Sequence, residues 1–558
     1  MFDGLRFCLF ITLVCASGLC ASQGQPASGT SDIDSYIENA LADWSVPGAA
    51  VAVVKDSRVV LAKGYGLLEL GRPERVTEHS LFGLGSISKT FTTATVARLI
   101  DQGRLSWDDK LVDHLPEFRL HDPWVTANVT LRDAFTHRVG LDEIENNLPW
   151  LLGTLSRKEY VSRLRGLQLR YPFRDSFNYS NGMVDTVGEL IGAVTGERWE
   201  DHVAHSIFQT LGMTRTVSGR DELVAPENLA PSWTGRAPET AVRGRAGLRP
   251  NVIDVAAPHG FDRNGKMSLY SWHHEQMNAP AGGVTSSAHD MTLFMLAHLS
   301  GKSASGAVFL RPETLSQIFS LQMAGRATAH MASEHDTNGR VQSQGMGIGW
   351  FVQTYGGRKM LEHGGGQIGY STEVALIPAE NLGVAVLLNE HYFDEHSFIA
   401  RPLVTAILYR LLDRELGLAS IDWSKRFHEE WRRDKQAAEQ RINTYLQRLA
   451  TAPQLALDDY VGLYRHPVNG TLEVGRDGSG LKFAFDPLIS GRLIHETGNL
   501  FRLEFENEHY HTRAFAIVFP TEPSRPANTL ALKVALDGTD NFYPIDWVYS
   551  RVPSKQAR

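Results

Sequence analysis

From residue 457 to the end of the chain, apolar residues fall on every second position. Leu481, Phe483 and Phe485 alternate with polar or small neighbours, and Phe501, Leu503 and Phe505 do the same. Successive strand side chains point to opposite faces, so a period of two marks half-buried strands. Asp477-Gly478 and Asp537-Gly538 supply the turn chemistry between them. Residues 457–558 therefore predict a small antiparallel barrel or sandwich. Upstream the period changes. Trp423, Phe427, Trp431, Ala438, Ile442, Tyr445, Leu446 and Leu449 form a helical stripe among charged residues, so residues 417–456 read as an amphipathic connector helix packed on a domain.

Residues 22–416 mix both periods. After a small polar tether, a helix begins near Ser31 or Asp32, carries Ile33, Tyr36, Ile37, Ala40, Leu41 and Trp44 on one side, and stops at Val46-Pro47-Gly48. Ala49 to Val54 and Val59 to Ala62, around a polar turn, predict a β-hairpin. Ser86 to Gln102 predicts a helix that ends at Gly103. Short helices and loops follow. Strands are then expected at Gly347–Gln353, Lys359–Glu362, Thr372–Ile377 and Leu382–Leu388, with a closing helix over Phe398–Leu416. One α/β domain to about residue 416 is the economical reading.

The first residues have a different character. Arg6 precedes the apolar run Phe7 to Val14, and small residues follow. Residues 1–21 read as a secretory signal, which places the mature chain in a secreted or periplasmic setting; a retained anchor is the alternative and the only route to a membrane. Cys8, Cys15 and Cys20 all lie in this segment, so the body of the chain has no disulfide, thiolate zinc site or cysteine nucleophile. A formal charge of −8 over 558 residues disfavours sequence-independent nucleic-acid binding.

Three short stretches carry reactive groups. In Ser86-Ile87-Ser88-Lys89, positions three apart on a helix set an amine beside a hydroxyl at a helix start, where developing negative charge is favoured. The same spacing in Ser479-Gly480-Leu481-Lys482 falls in a Gly-rich hairpin, where the two side chains need not converge. In Tyr179-Ser180-Asn181, the phenol is suited to relaying a proton and the amide to holding a carbonyl. Of the 16 tyrosines it alone has Asn two residues on. In His363-Gly364-Gly365-Gly366, glycines in a β context allow close backbone approach, and an exposed N–H there is suited to completing an oxyanion hole with that of Ser86. The histidine groups His273-His274-Glu275, His391 to His396, and His509 with His511 lack the metalloprotease spacing, and no metal or cofactor is expected.

In this order and spacing the three stretches resemble the serine β-lactamase and penicillin-binding-protein superfamily, above all its class C branch of D-aminopeptidases, DD-carboxypeptidases and esterases. Val46-Pro47-Gly48, Gly64-Tyr65-Gly66, Phe82 to Thr90, Leu131 to Leu141, Ala281 to Ser286, Gly347 to Trp350 and His363 to Ser371 follow the same order, over about residues 31 to 415. The C-terminal domain resembles the lipocalin-like domain of some members. The resemblance implies an α/β (α+β) fold with a central antiparallel sheet and a helical region. It implies Ser86 as acyl-forming nucleophile, with Lys89 and Tyr179 sharing the proton relay in an undecided order. Asn181 would orient the substrate amide, His363, Gly365 and Gly366 would line the substrate site, and Gly366 would lend the second oxyanion N–H. Two departures stand out. His363 replaces the lysine of many relatives, which favours D-residue peptides, modified peptides or esters over penicillins. Thr136-His137-Arg138-Val139-Gly140 replaces Thr-His-Thr-Ser-Gly, and no catalytic role attaches to it. The expected activity is hydrolysis of a small-molecule or short-peptide substrate through an acyl-enzyme. Acyl transfer, β-lactam hydrolysis and binding without catalysis are the alternatives.

Overall fold

The computed structural model describes residues 30–152, 155–219, 254–261, 266–270, 278–325, 337–390, 402–449, 452–485, 489–506, 515–520, 527–535, 539–542 and 547–553. The expected signal segment, the His273–Glu275, His391–His396 and His509/His511 groups and the Asp537-Gly538 turn lie outside them.

The first domain is built on an eight-stranded antiparallel sheet. Its order is Arg58–Gly66, Gly48–Lys55, Leu382–Leu388, Tyr370–Ile377, Arg358–Gln367, Phe351–Tyr355, Val341–Met346 and Met323–Ala324. The strands Gly48–Lys55 and Leu382–Leu388, far apart in sequence, pair at the centre with Val51 opposite Val386. Apart from Lys55 at one end, both central strands are free of polar side chains because both their faces are covered. Alternation sends Ala50, Ala52 and Val54 to the helical region, and Ala49, Val51 and Val53 to the helices Thr30–Trp44 and Leu403–Glu415. Each buried valine contributes roughly 1.5–3 kcal/mol relative to exposure.

Several expected boundaries move: the strands expected at Val59–Ala62 and Lys359–Glu362 run over Arg58–Gly66 and Arg358–Gln367. Gly347–Trp350 is a turn, and the strand opens at Phe351. Gly349 has φ +70° and sits where a Cβ would lie 1.9 Å from Thr93 Oγ1, and the Gly347 N–H closes the turn on the Trp350 carbonyl at 2.7 Å. The helix expected from Ser86 opens instead as a 3₁₀ turn, Gly85–Ile87, and continues as the α-helix Ser88–Asp101.

The helix Trp423–Leu446 joins the two domains. Trp423 and Phe427 sit in the core on the outer side of the sheet. At its far end the Tyr445 hydroxyl donates to Glu496 Oε2 at 2.9 Å in the second domain. That domain is a closed barrel of eight strands in chain order, from Gly462–His466 to Trp547–Arg551, which decides between barrel and sandwich. Leu481, Phe483, Phe501, Leu503 and Phe505 fill it. Ile144 of the first domain packs on this barrel core, and the Arg163 guanidinium donates to the Val468 carbonyl at 2.9 Å. No helix among the described residues is long and apolar enough to cross a membrane.

Candidate active site

Ser86 lies in the 3₁₀ turn that opens the helix Ser88–Asp101. The turn depends on Gly85, whose φ is +52° and whose missing Cβ leaves room for the Gly366 peptide, 2.6 Å away at its oxygen. Ser88 locks it: its hydroxyl donates to the Gly85 carbonyl at 2.6 Å and accepts from the Val284 N–H at 2.9 Å. Lys89 is fully buried beneath the turn. Its Nζ donates to Ser86 Oγ at 3.1 Å and to the Ala281 carbonyl at 2.8 Å. Burial lowers the Lys89 pKa from the ordinary lysine range to about 7, against the opposing fields of Asp185 and Glu143. Near neutrality the group is therefore poised between ammonium and amine.

Tyr179 stands on the other side of Ser86. Its phenol hydrogen-bonds the Ser86 hydroxyl, and burial raises it well above the ordinary tyrosine range although that bond pulls the other way. Lys89 Nζ also lies 4.7 Å from the centre of the Tyr179 ring. Asn146 fixes this segment by donating to the Tyr179 carbonyl at 3.2 Å and accepting from the Ser180 hydroxyl at 3.1 Å. Ser180 then caps the helix Asn181–Thr195 through the Met183 N–H. Asn181, first in that helix, is buried with its side-chain oxygen unpaired among the described residues.

The strand Arg358–Gln367 forms the third wall. His363 points to the same side as Phe351, with ring centres 5.2 Å apart. Its Nδ1–H donates to its own neighbour's carbonyl, Gly364, at 2.7 Å, and its Nε2 is buried without a partner among the described residues. Burial, and next the Lys89 charge, lower His363 to about 3, so it is a neutral imidazole with a free acceptor. Gly365 is buried where a Cβ would lie 1.9 Å from the Leu84 carbonyl, so its glycine lets the strand press against the Ser86 turn. Gly366 is exposed and lies against Gly85, one residue from Ser86. Ser86, Lys89, Tyr179, His363, Gly365 and Gly366 meet in this region, and Asn181 opens the helix two residues after Tyr179.

Two more residues join them. His137 lies with its ring 4.5 Å from that of Tyr179. Its Nδ1 accepts the Ser180 N–H at 3.1 Å, which puts the proton on a buried, unpaired Nε2. It holds φ +53°, an uncommon backbone state for a residue with a side chain. Asp185, one helical turn after Asn181, is fully buried with neither oxygen hydrogen-bonded to another described side chain. Burial raises it well above the ordinary carboxyl range, partly offset by Arg157, by Lys89 and by the Ala281 N–H. The Ala281 carbonyl thus holds the Lys89 amine, and the Asp185 carboxyl lies near enough for its charge and that of Lys89 to act on each other. A single Asp in the apolar helix stretch Met183–Ile191 was the available signal for Asp185.

The arrangement places a hydroxyl between an amine of depressed basicity and a phenol, with buried polar groups around it and backbone N–H groups alongside. Such a set can activate an alcohol and stabilise an oxyanion.

The sequence profile of the beta-lactamase family matches residues 33–408, and that of a domain of unknown function, DUF3471, matches residues 446–543. Two unguisins hydrolases are similar to this chain. The one from Aspergillus violaceofuscus is 25% identical over 461 residues, spanning 80% of this chain and 76% of its own. The one from Aspergillus campestris is 27% identical, spanning 79% and 77%. Among solved structures, the octameric penicillin-binding protein homologue from Pyrococcus abyssi has the same fold, with a TM-score of 0.54 at 19% identity, covering 93% of this chain and all of its own.

Proposed function

The chain belongs to the beta-lactamase family of serine hydrolases, and from that premise we propose that it cleaves amide bonds in peptides containing D-residues or other modified residues, or the esters that mimic them. Ser86 is the nucleophile. Its proton passes to the Lys89–Tyr179 pair, its oxygen attacks the substrate carbonyl, and the N–H groups of Ser86 and Gly366 receive the negative charge. Collapse expels the amine or alcohol with a proton returned from the pair, and water releases the acyl group by the same steps in reverse roles. Asn181 orients the substrate amide, and the free Nε2 of His363 accepts a hydrogen bond from it.

The observation that carries this reading is the double hold on Ser86, by Lys89 Nζ at 3.1 Å and by the Tyr179 phenol. The neutral His363 supports the substrate class, since a site without a fixed cation there has no partner for a substrate carboxylate. The similarity of the two unguisins hydrolases, which extends beyond the first domain, supports hydrolysis as the reaction.

The test is a parallel panel of D-amino-acid anilides, L-amino-acid anilides, short-chain esters and a chromogenic β-lactam, on wild type and Ser86→Ala. D-anilides or esters are expected to turn over faster than the β-lactam, with all turnover lost in the variant. A β-lactam that outpaces every anilide and ester overturns the substrate assignment.

A further inference from the structure

The helix that begins at Asn181 ends at Thr195, and the next helix, Trp199–Val203, starts after a short turn. Glu197 lies in that turn, His202 lies in the second helix, and His205 follows where the backbone widens to π-type hydrogen bonding over Ala204–Gln209. Residues three apart share a helix face, so both imidazoles look back on Glu197. His202 Nδ1 is 3.1 Å and His205 Nε2 is 2.5 Å from one carboxylate oxygen, Oε2. One candidate ligand atom from each of the three residues lies within 4.8 Å of the others. The two rings meet edge to face, 4.8 Å between centres.

We propose that Glu197, His202 and His205 form a surface site for a divalent transition-metal ion of the zinc type, with water in the fourth position. Nitrogen and oxygen ligands bind zinc at about 2.0–2.2 Å, which places tetrahedral ligand atoms about 3.4 Å apart. The two contacts to Glu197 reach that spacing by opening less than about 1 Å, and the two imidazole nitrogens, within 4.8 Å of each other, by closing at most about 1.4 Å. Glu197 and His205 have the freedom to move so, at 45% and 44% side-chain exposure, while His202, at 10%, anchors the set. On binding, each imidazole moves its proton to its other ring nitrogen and turns the freed lone pair to the metal. The metal replaces the two N–H···O bonds that now end on Glu197.

The surroundings keep the donors available. Thr195 holds the Glu197 backbone through its hydroxyl, at 3.2 Å to the N–H and 3.3 Å to the carbonyl. Asp201 pairs with Arg198 at 3.1 Å, which leaves Glu197 to the imidazoles. The helix between Asn181 and this site has 15 residues, about 22 Å. The metal therefore acts as a clamp between the turn at Glu197 and the helix that follows it, away from the Ser86 chemistry.

The test uses the full chain, stripped with a chelator and titrated with zinc sulfate at pH 7.5, beside Glu197→Gln and His205→Ala. Both changes are on exposed side chains, and the metal-free melting curves of the variants check that they fold. Calorimetry is expected to show one equivalent fewer in each variant, with any zinc held by other histidines retained. The rise in melting temperature that zinc gives wild type is expected to vanish in both. With cobalt, a visible absorption band of a tetrahedral site is expected in wild type alone. Anilide turnover is expected to be the same with and without zinc. The proposal is overturned if wild type binds no zinc, or if the variants match it in equivalents and in melting-temperature rise. A loss of anilide turnover on metal removal overturns the clamp role.

Discussion

The Lys89 nitrogen stands 3.1 Å from the Ser86 oxygen in a position with no contact to bulk water. Only the unprotonated amine accepts the Ser86 proton, and burial brings Lys89 to about 7. We predict that kcat/KM climbs tenfold per pH unit below about pH 7 and levels off above it. Lys89→Met is expected to lower kcat by roughly 10²–10⁴, the range of general acid–base contributions. Stability follows the same group. Between about pH 7 and the unfolded value near 10.4, the unfolded chain holds a proton that the folded chain lacks, so this contribution rises with pH across that window. A pH–rate profile with no limb between pH 6 and 8 contradicts the assignment.

The field of an ionised Asp185 favours the ammonium form of Lys89. Asp185→Asn keeps the shape and removes the charge. The acid limb of the pH–rate profile is expected to move to lower pH, with kcat on the plateau changed far less than in Lys89→Met. An unmoved limb shows that Asp185 is protonated there, as its burial favours, or has no hold on Lys89.

His363 is a neutral acceptor above about pH 4, because burial and the nearby Lys89 charge lower it to about 3. His363→Gln is therefore expected to reduce kcat/KM while leaving the limb near pH 7 in place. Disappearance of that limb transfers it from Lys89 to His363.

Asp133 ties together the two loops behind Tyr179. Its fully buried carboxylate accepts from Arg138 at 2.6 Å and Arg174 at 2.7 Å, and from Thr130 at 2.9 Å. Asp133→Ala leaves two guanidinium groups without their partner and is expected to cost about 3 kcal/mol, since both are partly exposed. Burial pushes the Asp133 carboxyl up, but the arginines outweigh it and hold it below the ordinary range. Its stabilisation is complete above the unfolded value near 3.9 and is lost as pH falls through the lower folded value. Melting curves between pH 2 and 6 are expected to converge for wild type and variant at the acid end.

Much of the site is visible in local spacing. Ser86 and Lys89 are three apart on a helix start, and the structure joins them. Ser479 and Lys482 have the same spacing, yet both are exposed and Lys482 lies on the strand Gly480–Ala484. The decoy differs only in its backbone, which the Gly-rich context announces. The barrel was legible because burial on one side of each strand imposes a period of two. What was hidden depends on distant partners. Asp185 reads as a stray charge in an apolar helix until Lys89 and Ala281 are beside it. His137 sits in a loop whose shape is set by Asp133, Arg138 and Arg174. The turn at Gly347–Trp350 looks like a strand because its defining contact, Gly349 on Thr93, spans more than two hundred residues.

The central claim is that Ser86 forms a covalent bond to the acyl group. Intact-mass spectrometry after exposure to a fluorophosphonate probe tests it most directly. Wild type is expected to gain one probe mass, mapped by peptide digestion to Ser86, and Ser86→Ala is expected to gain none while keeping the wild-type melting temperature. Equal labelling of wild type and a folded Ser86→Ala variant contradicts the account.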